Sequence, residues 1–291
     1  MRLETDGDAS VYLKLETLQP VNSFKIRGAG NAILAASDEE LARGVVTASA
    51  GNMAQGVAYA ARLRGVPATI VVPDGAPATK LAAVERLGGT LVSLPYDEWW
   101  SVLVEGRFDD APGLFIHPVD DDAVMAGNGT IGLELLEERP DLDAVVVPFG
   151  GGGLLVGIAS ALKAQRPEVR VVSVEPETGA VAAASLAAGG PIEIDYVRSF
   201  VDGAGSRSLI PRVWSQAEEL IDDAVGVPLE AAAAAVRLIA ERMRVISEGA
   251  GALALAASLA GDAGSGKIVC IVSGGNIDAS VLGRILQGET P

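Results

Sequence analysis

An α/β fold, with parallel sheets flanked by helices, is predicted by three features of this sequence. Short runs rich in Val, Ile and Leu alternate with longer helical patterns along most of the chain. The runs are continuously apolar, as in strands that helices cover on both faces. Glycine-rich turns, "SAGN", "FGGGGL" and "SGGN", each follow such a run, at the strand end where open α/β sheets bind ligands.

The elements follow in order. "GVVTASA" leads into the helical "MAQGVAYAARLRG", "ATIVVP" into "PATKLAAVERLGG", and "TLVSLP" into "YDEWWSVLVEG". Farther on, "LDAVVVPFG" precedes "GLLVGIASALKAQRP", and "VRVVSVEPE" is a further strand. "PLEAAAAAVRLIAERMRV" reads as one helix, its alanines being good helix formers, and "KIVCIVSGG" as the last strand. No fixed-period repeat and no Pro/Ser-rich linker is present. A parallel sheet of this many strands often divides, so two sheets fit the pattern.

Composition narrows the function. The 291 residues, 49% of them hydrophobic, supply core for one large or two modest domains. Lys+Arg 22 against Asp+Glu 38 gives a net charge of −16 without a basic block, which argues against nucleic acid or an anionic membrane as partner. No uninterrupted apolar stretch is long enough to span a bilayer, and Met1 to Ser10 lacks the regions of a signal peptide. A cytoplasmic location is therefore expected. His117 and Cys270 are the sole histidine and cysteine, so one chain builds no internal disulfide and no Cys/His zinc site. A Ser-His-Asp triad would depend on His117, in "FIHPVDD", where a structural histidine is the better reading.

Lys25 stands in "VNSFKIRGAG", in a small polar turn at the start of a helix, and is one of only five lysines. A lysine used for chemistry needs a partly dry pocket that lowers its pKa. "PFGGGGLLVGIASALK" runs from a strand into a helix through Gly150, Gly151, Gly152 and Gly153. Four glycines let a ligand approach the backbone, and the helix start favours an anion. A dinucleotide site competes, with Glu175 as the ribose-binding acid. However, the spacing is G-x-G-x-x-x-G, which reads better as a cup for one phosphate.

"SAGNMAQG" offers Ser49, Asn52 and helix amides for a carboxylate, although alone it reads as an N-cap. In "VSGGNID", Ser273 follows a buried strand where its hydroxyl can meet a ring nitrogen, although alone it reads as a turn. In "ISEGAGALALAA", a capping role for Glu248 weighs at least as much as a catalytic one. A lysine amine, a phosphate cup, a carboxylate-binding helix start and a partner for a pyridine nitrogen suit pyridoxal 5′-phosphate and an amino acid.

On these motifs the chain resembles the serine/threonine dehydratase (threonine ammonia-lyase) and serine racemase family, a branch of the fold-type II, tryptophan synthase β-like enzymes that use pyridoxal phosphate. The resemblance covers nearly the whole chain. "LKLETLQPVNSFKIRGA" is similar to the cofactor-lysine motif, which implies Lys25 as catalytic residue and covalent anchor, beside Phe24. "SAGNMAQG" resembles the asparagine loop. That implies substrate contacts from Ser49, Ala50, Gly51, Asn52 and Met53, with Asn52 also on the cofactor. "GGGGL" (Gly150 to Leu154) is similar to the phosphate cup. "FVDG" implies Gly203 against the ring, and "SGGNID" implies Ser273 and Gly274 at the pyridine nitrogen, with Glu248 also at the cofactor. "HPVDDDAVMAGNGTIGLEL" is a further family stretch with an apparently structural part.

The family implies a larger domain of residues 1–43 and 118–291, an inserted smaller domain of 44–117, and a homodimer. The chain departs from it in several places. Met53 replaces the usual His, an apolar change expected to alter the substrate pocket. The segment before "VYLKLE" is short, and no feedback-regulatory domain is expected. Val181 lies where metal-binding relatives have a second carboxylate beyond Glu175, so no metal is expected.

The expected activity is elimination of the β-hydroxyl of a serine- or threonine-like amino acid to a 2-oxo acid and ammonia. Racemisation is the first alternative. The racemase branch carries S-S-G-N where this chain has Ser49-Ala50-Gly51-Asn52. β-Replacement is the second, although Ile26-Arg27 follows the lysine where those synthases carry Asp-Arg. A catalytically silent binding protein is the third, against which the intact Lys25 argues.

Overall fold

The computed structural model describes residues 1–3 and 9–291. In chain order its strands and helices begin with β1 (Arg2–Leu3), β2 (Ser10–Leu15), α1 (Lys25–Ala35), β3 (Val45–Ala48), α2 (Asn52–Arg64) and β4 (Ala68–Pro73). There follow α3 (Ala78–Arg86), β5 (Gly89–Leu94), α4 (Tyr96–Glu105), β6 (Leu114–Phe115), α5 (Asp122–Glu138) and β7 (Ala144–Pro148). The chain continues through α6 (Gly153–Gln165), β8 (Arg170–Pro176), α7 (Val181–Ala188), α8 (Pro211–Ala217), β9 (Asp223–Val227) and α9 (Leu229–Leu238). It closes with α10 (Gly249–Ala260), β10 (Lys267–Val272) and α11 (Ala279–Leu286). No helix among the described residues is long and apolar enough to cross a membrane.

The chain divides into two compact units, residues 1–18 with 129–291, and residues 19–128. The expected boundaries at 43/44 and 117/118 enclose the four-stranded sheet with α2, α3 and α4. Packing adds 19–43 and 118–128 to that sheet, because α1 lies along α2 and the start of α5 lies along α1. Residues 4–8 of the expected 1–43 segment lie outside the described residues.

In the larger unit the sheet order is β1-β2-β10-β7-β8-β9. The β1–β2 pair is antiparallel and every other pairing is parallel. Val145, Val146, Val147, Val171, Val172, Ile268 and Val269 are all at most 1% exposed, which explains their unbroken apolar runs. Helix α10, ten of whose twelve residues are buried, lies against this sheet.

In the unit of residues 19–128 the order is β5-β4-β3-β6, all parallel. Its core gathers Ile33 from α1, Val57 from α2, Ile70 from β4 and Ile116. Each mostly parallel sheet aligns its strand ends, and the glycine turns after β3, β7 and β10 fall at those ends.

Four strands stand outside the predicted runs: β1 and β6, of two residues each, and the longer β2 and β9. β2 alternates buried and half-buried residues, so its apolar signal is diluted. β9 ends the six-stranded sheet and is largely accessible. The predicted helix of 228–245 is interrupted: α9 gives way to a π turn over Ile239–Met243, which ends at Arg244 with φ of 57°.

Candidate active site

Within residues 19–128, Lys25 is the first residue of α1, and Phe24 precedes it. Its Nζ donates to the carbonyl of Pro118 at 2.7 Å and lies 5.1 Å from the centroid of the Phe24 ring. Burial brings the amine down to about 8. The other lysines contrast with this. Lys163 and Lys267 pair with Asp222 and Asp141. Lys14 is held by Glu134 and Glu138, and although burial opposes its charge, those hydrogen bonds leave its pKa raised. A carboxylate stabilises an ammonium, whereas a neutral carbonyl in a dry setting does so weakly.

The 49–53 loop connects β3 to α2. Its N-cap is Gly51, and no side chain caps the helix start. Ser49 Oγ instead accepts from the amide of Gly51 at 3.2 Å. An N-cap by Ser49 or Asn52 is therefore not the arrangement found, and the opening turn of α2 remains suited to an anion. Ala50, Gly51 and Asn52 are partly accessible. The Met53 side chain is 2% exposed and belongs to the core of this unit.

The larger unit holds the other predicted residues, and several of them converge. Helix α6 begins at Gly153 with Gly152 as N-cap and again no side-chain cap. Gly152 has φ of 90°, and a Cβ there would lie 2.7 Å from Val213 Cγ1 and 3.1 Å from Phe149 Cζ. A Cβ on Gly150 would meet the Gly203 carbonyl at 3.2 Å, and one on Gly203 would meet Ala250 Cβ at 3.0 Å and Glu248 Oε1 at 3.5 Å. Any larger residue would fill this cradle. Gly151 is partly accessible at its rim, and Leu154 is buried beneath it.

Glu248 is the N-cap residue of α10, but its carboxylate makes no capping bond. Its amide donates to the Gly274 carbonyl at 3.0 Å, tying Glu248 to the turn after β10. Ser273, 4% exposed, begins that turn.

Glu175 is fully buried at the end of β8, and its carboxylate accepts from the amides of Ala182 and Ala183 at the start of α7. Desolvation pushes it up to about 7 in spite of those bonds. Its oxygens serve α7, which is not how a ribose-binding acid would be used. Among the described residues, no group of three or more His, Cys, Asp or Glu side chains is placed to hold a metal ion.

His117 has a structural role. Its Nδ1 accepts from the amides of Val119 and Asp120, at 3.1 and 2.7 Å, and Nε2 lies 3.1 Å from the Leu103 carbonyl. Sequence reasoning missed Pro118 as a partner of Lys25. The signal available was the family stretch that begins at His117.

The glycine cradle suits a phosphate, the Ser273 hydroxyl suits a ring nitrogen, and the Lys25 amine suits covalent attachment. The residues present therefore fit pyridoxal phosphate. Parallel sheets flanked by helices, with an uncapped helix start after a glycine turn in each unit, define the class: a fold-type II enzyme. Solved structures agree. Threonine deaminase isoform 2 from Solanum lycopersicum, in its processed form, superposes with a TM-score of 0.89 at 36% identity, over 97% of this chain and 79% of that one. Maize serine racemase gives 0.88 at 37% identity, over 96% and 87%.

The chain belongs to the pyridoxal-phosphate dependent enzyme family, which matches residues 2–274. It is 41% identical over 281 residues to an L-threonine ammonia-lyase of Thermotoga maritima, covering 95% of this chain and 70% of the relative. A serine racemase of Oryza sativa is 39% identical over 286 residues, covering 94% and 82%.

Proposed function

We propose that this chain is a pyridoxal-phosphate-dependent ammonia-lyase acting on a small serine- or threonine-like amino acid. The cofactor, when bound, links to amines and delocalises negative charge from Cα. Gly150, Gly151, Gly152, Gly153 and Leu154 would receive its phosphate group, Gly203 and Glu248 would border its ring, and Ser273 with Gly274 would face the ring nitrogen. Lys25, beside Phe24, is the covalent anchor. Displaced by the substrate amine, Lys25 takes the Cα proton, and its pKa of about 8 suits a base near neutral pH. Ser49, Ala50, Gly51 and Asn52 hold the substrate carboxylate, with Asn52 also on the cofactor. The Cβ–O bond then breaks, the hydroxyl leaves as water with the proton that Lys25 carried, and the released enamine is hydrolysed by water to a 2-oxo acid and ammonia.

One observation favours elimination over racemisation. Two-base racemisation needs an acid on the face of Cα opposite Lys25. Ala50 carries only a methyl group where the racemase branch has a serine hydroxyl. Loss of general-acid assistance costs about 10²–10⁴-fold, which makes racemisation minor.

The test supplies one enantiomer of serine, threonine, phenylserine or hydroxyaspartate, and follows both 2-oxo acid and the opposite enantiomer. Racemisation as fast as elimination would overturn the lyase reading. Raised racemisation in Ala50→Ser would support the stereochemical argument. Racemisation is kept as the second reading because relatives of both names share about 40% identity with the chain.

A cytoplasmic homodimer is also proposed. The family resemblance supports the dimer, which light scattering tests. The lone thiol of Cys270 is buried, and desolvation pushes it up to about 12, so no structural disulfide is at stake.

A further inference from the structure

The carbonyl that receives Lys25 is held by a chain of contacts within residues 19–128. His117 accepts two amide hydrogens at Nδ1, from Val119 and Asp120, which closes the turn around Pro118. With Nδ1 accepting, the ring proton resides on Nε2 and is donated to the Leu103 carbonyl in α4. A proton on Nδ1 would cost both amide bonds. Burial keeps His117 below its ordinary pKa; Asp120 and Asp121 pull upward, and Lys25 pushes down.

The other side of the contact is equally fixed. Asp121 Oδ1 accepts from the amides of Ala123 and Val124 at the start of α5. Helix α5 then meets α1 at backbone distance: a Cβ on Gly28 would lie 2.7 Å from Val124 Cγ1, and one on Gly127 would collide with the Arg27 carbonyl. Asn31 Nδ2 donates to the Ala123 carbonyl at 2.7 Å. Lys25, as the first residue of α1, is thereby set against the turn that His117 closes.

We infer that His117 is a positioning residue for the reacting amine: by pinning the 117–120 turn, it holds the Pro118 carbonyl as the acceptor for Lys25 Nζ whenever that amine is free. The inference rests on the role proposed for Lys25. A free amine that kept one N–H on a fixed carbonyl would aim its lone pair reproducibly. An amine without that acceptor would sample many rotamers of a four-carbon stem.

Asn at 117 preserves an acceptor at the position of Nδ1 and closes the same kind of turn; Phe preserves ring volume without an acceptor. The full-length protein is stripped of pyridoxal phosphate, and its rate of covalent cofactor capture is measured together with isotope-ratio acylation of Lys25. His117→Phe is expected to slow capture at least tenfold and to move the pH midpoint of Lys25 acylation away from its wild-type value. His117→Asn is expected to recover capture to within about threefold. Thermal unfolding is followed for both variants.

Because His117 is the only histidine, imidazole ¹⁵N spectra of the wild-type protein provide a test that needs no variant to fold. They should show a single Nε2–H tautomer in the neutral ring, with a titration midpoint below the ordinary value. Ordinary titration near 6.5, or an Nδ1–H tautomer, would overturn the inference. Wild-type capture with an unchanged acylation profile in His117→Phe would do the same. None of these readouts uses an amino-acid substrate, so a failure of the proposed lyase activity would be seen separately.

Discussion

Titrating Lys25 tests the chemistry most directly. Its amine lies near 8 against an ordinary 10.5 because burial disfavours the charged form. At pH 7 about a tenth of such amines are neutral, roughly 300-fold more than for an exposed lysine. The same shift is a stability statement. Between pH 8 and 10.5 the unfolded chain binds more protons at this position than the folded one, so its contribution to stability rises with pH through that window. Below pH 8 the partly buried ammonium costs up to about 3 kcal/mol relative to a residue without a charge. Lys25→Met keeps the stem and removes the charge, and loss of the bond to Pro118 offsets about 1 kcal/mol of the gain.

The cofactor-free variant should therefore exceed the cofactor-free wild type in urea stability by about 2 kcal/mol at pH 7. That lead should vanish as pH rises through 8 to 10.5. In parallel, acylation of wild-type Lys25, read by peptide mass spectrometry, should have its midpoint near 8. A midpoint near 10, or a Lys25→Met variant less stable than wild type at pH 7, would refute the reasoning.

Three further outcomes follow from the packing. Gly152→Ala forces a side chain onto a positive φ and against Val213 and Phe149, so it should lower stability by about 1–3 kcal/mol and weaken pyridoxal phosphate binding, measured by thermal unfolding with and without cofactor. Met53→Ala should cost about 2–5 kcal/mol in urea unfolding as a core truncation, and a large change in KM with normal stability would return Met53 to the substrate. Glu175 has a folded pKa of about 7, so the folded state binds the extra proton and loses stability as pH rises from 4.5 through 7. Across pH 5 to 8 the difference between Glu175→Gln and wild type should move by about 3 kcal/mol in favour of the variant, and a difference independent of pH would count against a buried, proton-binding carboxylate.

What the sequence determined by itself is what covalent identity imposes locally. The apolar runs of β3, β4, β7, β8 and β10 declare strands buried on both faces, because no other element needs Val and Ile without alternation. Four glycines after β7 declare a turn that something approaches closely, since each lost side chain costs order unless the space is used. Lys25 was conspicuous from its setting, and the family motifs around it assigned its role. β2 and β9 were weaker signals, since their faces are partly open and their residues need not be uniformly apolar. Only the tertiary structure decided the rest. The partner of Lys25 is a backbone carbonyl 93 residues away, and the partners of Glu175 are backbone amides. Every residue but proline carries the same two backbone groups, so composition and spacing do not distinguish the one that folding brings into reach. Met53 followed the same rule: its position in a loop motif did not announce that its apolar side chain packs into the core, where burial removes its surface from water.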